Sequence, residues 1–176
     1  MNDFFSTIRK HQEQNLPFVI YSKPNSSSIF AFLQQNETLY KVSDYSEKGF
    51  VFASFDETQL ILIPEKQSKI ISAEQTNVDF NPVEIDDLNY DAEAKIQYED
   101  LVSKGIEAIK NDELKKVVLS RTEKVELNGF DYVTTFQRLI HLYPTTFSYC
   151  FYHPEIGLWM GATPEQLLKS KKNMKD

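Results

Sequence analysis

Few side chains in this sequence could do chemistry, and two of them stand in distinctive company. Lys116 opens the run KVVLSR at 116–121, and Glu165 lies within GLWMGATPEQLL at 157–168, 49 positions further along. A lysine and a carboxylic acid offer proton transfer. A lysine accepts a proton only if it is partly neutral, so burial or nearby positive charge must lower its pKa. Val117, Val118 and Leu119 follow Lys116, so desolvation is expected there, and strand parity turns Lys115 to the other face. A glutamic acid that donates needs the opposite shift, and a helix N-terminus would work against it. Taken singly, both residues have ordinary readings. A lysine at the start of a strand is commonly a solvated edge residue. The segment TPEQ reads as a capping box, with Thr163 as cap, Pro164 at the first helical position and Gln166 three residues after the cap. Glu165 is then a first-turn carboxylate.

The remaining candidates carry less. Arg121 falls on the strand face opposite Lys116, where an ion pair is expected. His11, His141 and His153 are scattered without ligand-like partners; His141 sits in a last helical turn and His153 in a turn before Pro154. No metal is assigned to any of them. Cys150, the one cysteine, lies in an apolar run and reads as core, so no intrachain disulfide forms. Trp159 is read as packing between sheet and helix. No phosphate-binding loop, dinucleotide fingerprint or zinc spacing is present.

The elements that must position these residues follow from periodicity. A short helix over 3–14 puts Phe4, Phe5 and Ile8 on one side. Strands are expected at 18–22, 28–34, 50–55 and 59–64, with a short LYKV segment between, forming a meander-like antiparallel sheet. Residues 66–90 are polar and read as a connector. A helix over 92–110, capped by Asp91, has Tyr98, Val102, Ile106 and Ile109 on one face. KKVVLSRTEKVEL at 115–127 alternates as a strand, with Val117, Leu119, Arg121 and Glu123 on one side and Lys116, Val118, Ser120 and Thr122 on the other. Asn128-Gly129 turns the chain, Asp131 caps a second helix with Tyr132, Phe136, Leu139, Ile140 and Tyr143 on its apolar face, and Pro144 ends it. Runs at 146–152 and 156–161 form a strand pair, and 163–168 opens a helical turn or a further strand. The expected class is α+β, a large, mostly antiparallel sheet with helices on its outer face. The expected division is 1–90, a sheet region with connector, and 91–176, within one structural domain.

Composition narrows the partners. The 176 residues carry a net charge of −7. Residues 1–88 hold seven basic against thirteen acidic side chains (−6), and 89–176 hold twelve against thirteen (−1). That balance argues against nucleic acid, which requires a basic stripe, and places an anionic small molecule in the second half. No apolar stretch reaches the length of a membrane span, and the N-terminus lacks a secretory pattern, so a cytoplasmic protein is expected. Oligomeric state is not legible.

KVVLSR and GLWMGATPEQLL together resemble the two N-terminal signatures of the chorismate-utilising enzymes, which include isochorismate, salicylate, anthranilate and aminodeoxychorismate synthases. The resemblance covers about residues 92–170. It implies that Lys116 acts as the general base that activates water and Glu165 as the general acid that protonates a leaving group. Members that use ammonia commonly have glutamine at the lysine position, so Lys116 favours a member that uses water. The implied reaction is conversion of chorismate to isochorismate, for menaquinone or a catechol siderophore; a salicylate synthase shares the lysine and then also eliminates pyruvate. The family binds Mg²⁺ through glutamates further along, in a glutamate-rich helix not present in this sequence. The chain is therefore expected to be the N-terminal portion of the family fold, an incomplete half with no metal ligands of its own, and to turn over chorismate weakly or not at all. Two alternatives stay open: a truncated remnant that catalyses nothing, and an unrelated α+β domain.

Overall fold

The computed structural model describes residues 2–56, 58–75, 92–125, 127 and 129–164. Two compact units emerge, one from 1–80 with 131–176 and one from 81–130.

The first unit is α+β, as its pattern predicts. Its elements are α1 (Asn2–Glu13), β1 (Phe18–Ser22), β2 (Ser28–Gln34), β3 (Tyr40–Lys41), β4 (Gly49–Ala53), β5 (Leu60–Pro64), β6 (Ser68–Glu74), then α3 (Tyr132–Leu142), β7 (Phe147–His153) and β8 (Gly157–Thr163). A five-stranded sheet has the order β6-β2-β1-β7-β8, with every neighbouring pair antiparallel. A second sheet of three strands has the order β3-β5-β4.

Strand parity decides what lies on each face of the larger sheet. Phe18 and Ile20, Ile29, Ala31 and Leu33, and Cys150 point to one side and are buried with Phe4, Phe5 and Ile8 of α1 and with Tyr132, Val133, Phe136 and Ile140 of α3. Val19 and Phe151 point to the other side, where Ile61 and Ile63 of β5 meet them. A strand covered on both faces needs apolar residues at consecutive positions. That accounts for the run FVIYS in β1, the central strand, which is buried at four of five positions.

Local signals set the ends. Asp131 caps α3 by accepting the backbone N–H of Val133 at 3.2 Å. Its Oδ2 accepts Thr134 Oγ1 at 2.6 Å and the Arg9 guanidinium at 2.7 Å, which ties α1 to α3. Hydrogen bonding to Arg9 holds the Asp131 carboxyl down at about 2. Gly129 has a left-handed φ of +67°, as a turn there requires, while Asn128 lies outside the described residues.

Three expectations need correction. The segment 66–90 was expected to be a connector, yet Ser68–Glu74 forms β6 along β2. It is an edge strand in which Ile71 and Ala73 pack on the core while Ile70 is exposed, so too few positions are covered to show a clean period. The early strands do not form a single meander; β3 to β5 separate into their own sheet, and β1 and β2 pair with β7 and β6. Trp159 does not lie between sheet and helix. Leu158 and Met160 take the helix-facing positions, so Trp159 points the other way, half exposed and 5.8 Å from the Phe52 ring.

The second unit contains α2 (Ala92–Lys110), as its period predicts; its cap at Asp91 lies outside the described residues.

Candidate functional site

Lys116 belongs to the second unit and follows directly from how α2 ends. The backbone N–H groups of Asn111 and Glu113 donate to the carbonyls of Glu107 and Ala108, both at 2.9 Å, and Asp112 adopts a left-handed φ of +59°. This is a helix stop that satisfies the last carbonyls and reverses the chain. The chain then returns along α2. Val117 and Leu119 approach Gly105: a Cβ placed there would lie 3.2 Å from Val117 Cγ1 and 3.4 Å from Leu119 Cδ1. Further on, Arg121 and Thr122 line a hollow of about 210 Å³ with Gln97, Tyr98 and Leu101.

The expected strand at 115–127 is not one. Its described residues have no regular secondary structure and no ladder partner among the described residues. Strand propensity reflects fit to a neighbouring surface, and here the surface is a helix. The alternation nevertheless survives. Val117 and Leu119 are partly covered, while Lys116 and Ser120 are exposed and Val118 is 82% exposed. Lys116 thus projects on the side away from the Gly105 contact. The desolvation expected from its apolar neighbours is not supplied by the described residues. Arg121 forms the ion pair expected of it, with Glu123 at 2.8 Å, on an exposed surface where such pairs contribute little.

The face of α2 also differs from expectation. Tyr98 and Val102 are partly covered, together with Ala94, Gly105 and Ala108, but Ile106 and Ile109 are 48% and 40% exposed. The covered stripe passes through the small residues, because these let the returning chain come close.

The second motif lies in the first unit. GLWMGAT is β8 in full, ending at Thr163, which pairs with Phe147 of β7. Glu165 and Gln166 lie outside the described residues, as does the helical turn expected at 163–168. Gly161, three residues before Pro164, pairs with Tyr149, and a Cβ on it would meet the Tyr149 ring at 2.9 Å. The absent side chain makes room for that ring, which stands 6.1 Å from Phe50 and 5.9 Å from Phe52. A glycine inside a strand pattern is the available signal for such a close approach.

Cys150, His11 and His153 are parts of the packed interior. Cys150 is fully buried and its thiol is pushed up to about 12 by desolvation. His11 is buried at 8% exposure, with Nε2 3.0 Å from the Pro17 carbonyl. His153 closes β7 rather than lying in a turn; it is buried, and its Nδ1 accepts the Glu155 N–H at 3.2 Å. Desolvation lowers the pKa of both histidines, with the Pro17 and Thr38 carbonyls respectively opposing it. Among the described residues, no three of His, Cys, Asp and Glu gather as a cation cage requires. The described residues therefore do not fit a Mg²⁺ site. No helix among them is long and apolar enough to cross a membrane.

A family model described as chorismate binding enzyme matches residues 50–175. The chain belongs to that family. No curated protein and no solved structure matches it. The matched residues run from β4 past β8 and take in both Lys116 and Glu165. Membership in the chorismate binding enzymes makes chorismate the substrate class. The larger sheet is only partly matched: β1 and β2, which pair with β7 and β6, precede the matched residues.

Proposed function

We propose that this chorismate binding enzyme carries the isochorismate synthase reaction, with Lys116 as general base and Glu165 as general acid. In that reaction Lys116 takes a proton from a water whose oxygen bonds to ring carbon 2. The ring double bonds shift, the bond from carbon 4 to its hydroxyl oxygen breaks, and Glu165 gives that oxygen its proton. One water enters and one leaves. The observation that carries the proposal is the lysine itself: position 116 opens KVVLSR inside the family match. Glutamine at that position would suit ammonia as the nucleophile. Mg²⁺ would be the expected cation, but the described residues do not assemble its ligands, so no step is routed through it.

The test is product analysis after incubation with chorismate and Mg²⁺. Isochorismate as the product, lost in Lys116→Ala, supports the proposal. Salicylate with pyruvate would move the assignment to a salicylate synthase. Anthranilate formed in the presence of ammonia would overturn the role given to Lys116.

A further inference from the structure

A cavity of about 530 Å³ opens on the small sheet of the first unit, and its lining departs from the charge of the surrounding chain. Tyr40 of β3 and Leu62 of β5 give it an apolar wall, and Lys41, Lys48 and Lys66 stand around it. Only seven basic residues occur in 1–88 against thirteen acidic ones, yet three of the seven line this one cavity with a single carboxylate, Glu47. The local balance is +2 within a region of −6.

That carboxylate is committed to the fold. Its Oε1 accepts the Ser43 N–H at 2.7 Å, which closes the loop before β4, and its Oε2 is buried without a hydrogen-bond partner among the described residues. None of the three lysines forms an ion pair with a described residue. The lysines are thus not used up by the acids among the described residues. The volume lies within the roughly 300–1,000 Å³ typical of small-molecule sites, which combine an apolar lining with a few polar groups.

We propose that this cavity binds a small organic dianion, a phosphomonoester or dicarboxylate with an apolar body. The lysines meet the charge, and Tyr40 and Leu62 meet the body. Tyr40, Lys41, Glu47 and Lys48 precede the family-matched residues while Leu62 and Lys66 fall within them, so the cavity straddles the start of the match and lies apart from Lys116 and Glu165 in sequence. It also places an anion site in the acidic half, where overall charge alone argues against one. The inference is independent of the roles given to Lys116 and Glu165.

Phenyl phosphate is the probe, with inorganic phosphate and phenol as its two halves, followed by amide chemical shifts in the whole chain. Phenyl phosphate is expected to shift residues 40–48 and 62–67 saturably, and each half alone to bind more than about tenfold more weakly, since apolar and ionic contacts are both needed. Lys48→Ala with Lys66→Ala should weaken binding by about fivefold or more, the scale of exposed charge contacts, while leaving other resonances in place. Glu47→Gln keeps an acceptor for Ser43 and removes the opposing charge, so binding should tighten. No saturable shift at residues 40–48, equal binding of inorganic phosphate, an unaffected lysine double variant, or weaker binding by Glu47→Gln would each overturn the proposal.

Discussion

At the scale of single residues, Asp131 joins two helices of the first unit. It caps α3, accepts Thr134 Oγ1 and holds Arg9 of α1. Arg9 also lies 5.6 Å from the Tyr132 ring centroid, and burial pushes the Tyr132 hydroxyl up to about 12. Asp131→Ala is expected to cost about 1–2 kcal/mol, the usual range for a lost helix cap, measured as a fall in the urea midpoint with an unchanged slope. The same residue sets part of the acid sensitivity. Its folded pKa of about 2 is depressed, so its contribution is complete above the unfolded value near about 4 and is lost as pH falls through about 2. His11 and His153 act in a higher window. Both fold preferentially neutral, so the unfolded chain takes up their protons first, and stability falls as pH drops below about 6.5. Urea midpoints recorded from pH 8 to pH 2 should therefore decline in two stages, and Asp131→Asn should flatten the lower one. Cys150 offers a further check. A buried thiol held near 12 should react with a disulfide reagent at pH 7 only as fast as the protein opens, and at once in denaturant.

At the scale of elements, glycines mark where one chain segment crowds another. Gly161→Val would drive a side chain into the Tyr149 ring and is expected to cost about 1–3 kcal/mol through overpacking. In a Tyr149→Ala background that cost should shrink, and a double-mutant cycle of unfolding free energies measures the difference. Gly105→Leu should separate Val117 and Leu119 from α2 and raise amide exchange across 115–125. These contacts also show what the sequence could and could not reveal. β1, β2 and α2 were legible to the residue because each presents a long, consistent period or a caged apolar run. The Asp131 cap was legible because capping is local. β6 was not, since an edge strand with one partly covered face carries a thin pattern, and the pairing of β1 with β7 joins residues more than a hundred apart. The alternation over 115–127 predicts two faces, which the described residues keep, and a ladder, which they lack, because periodicity reports which side is covered and not what covers it. Arg9 was missed altogether; nothing in its neighbourhood of sequence points to Asp131.

At the scale of the whole molecule, the family match unites segments from both compact units, with Lys116 in one and β8 leading toward Glu165 in the other. Chorismate as substrate class follows from membership, while the identity of the nucleophile rests on a single lysine. The measurement that reaches that lysine most directly is turnover of chorismate in ¹⁸O-labelled water by the wild-type protein and by Lys116→Ala. The account predicts isochorismate labelled at the carbon 2 hydroxyl, formed about 10²–10⁴ more slowly when Lys116 is removed, the range for loss of a general base. Labelled isochorismate formed by Lys116→Ala at the wild-type rate, or isochorismate formed without the label at its carbon 2 hydroxyl, would contradict it.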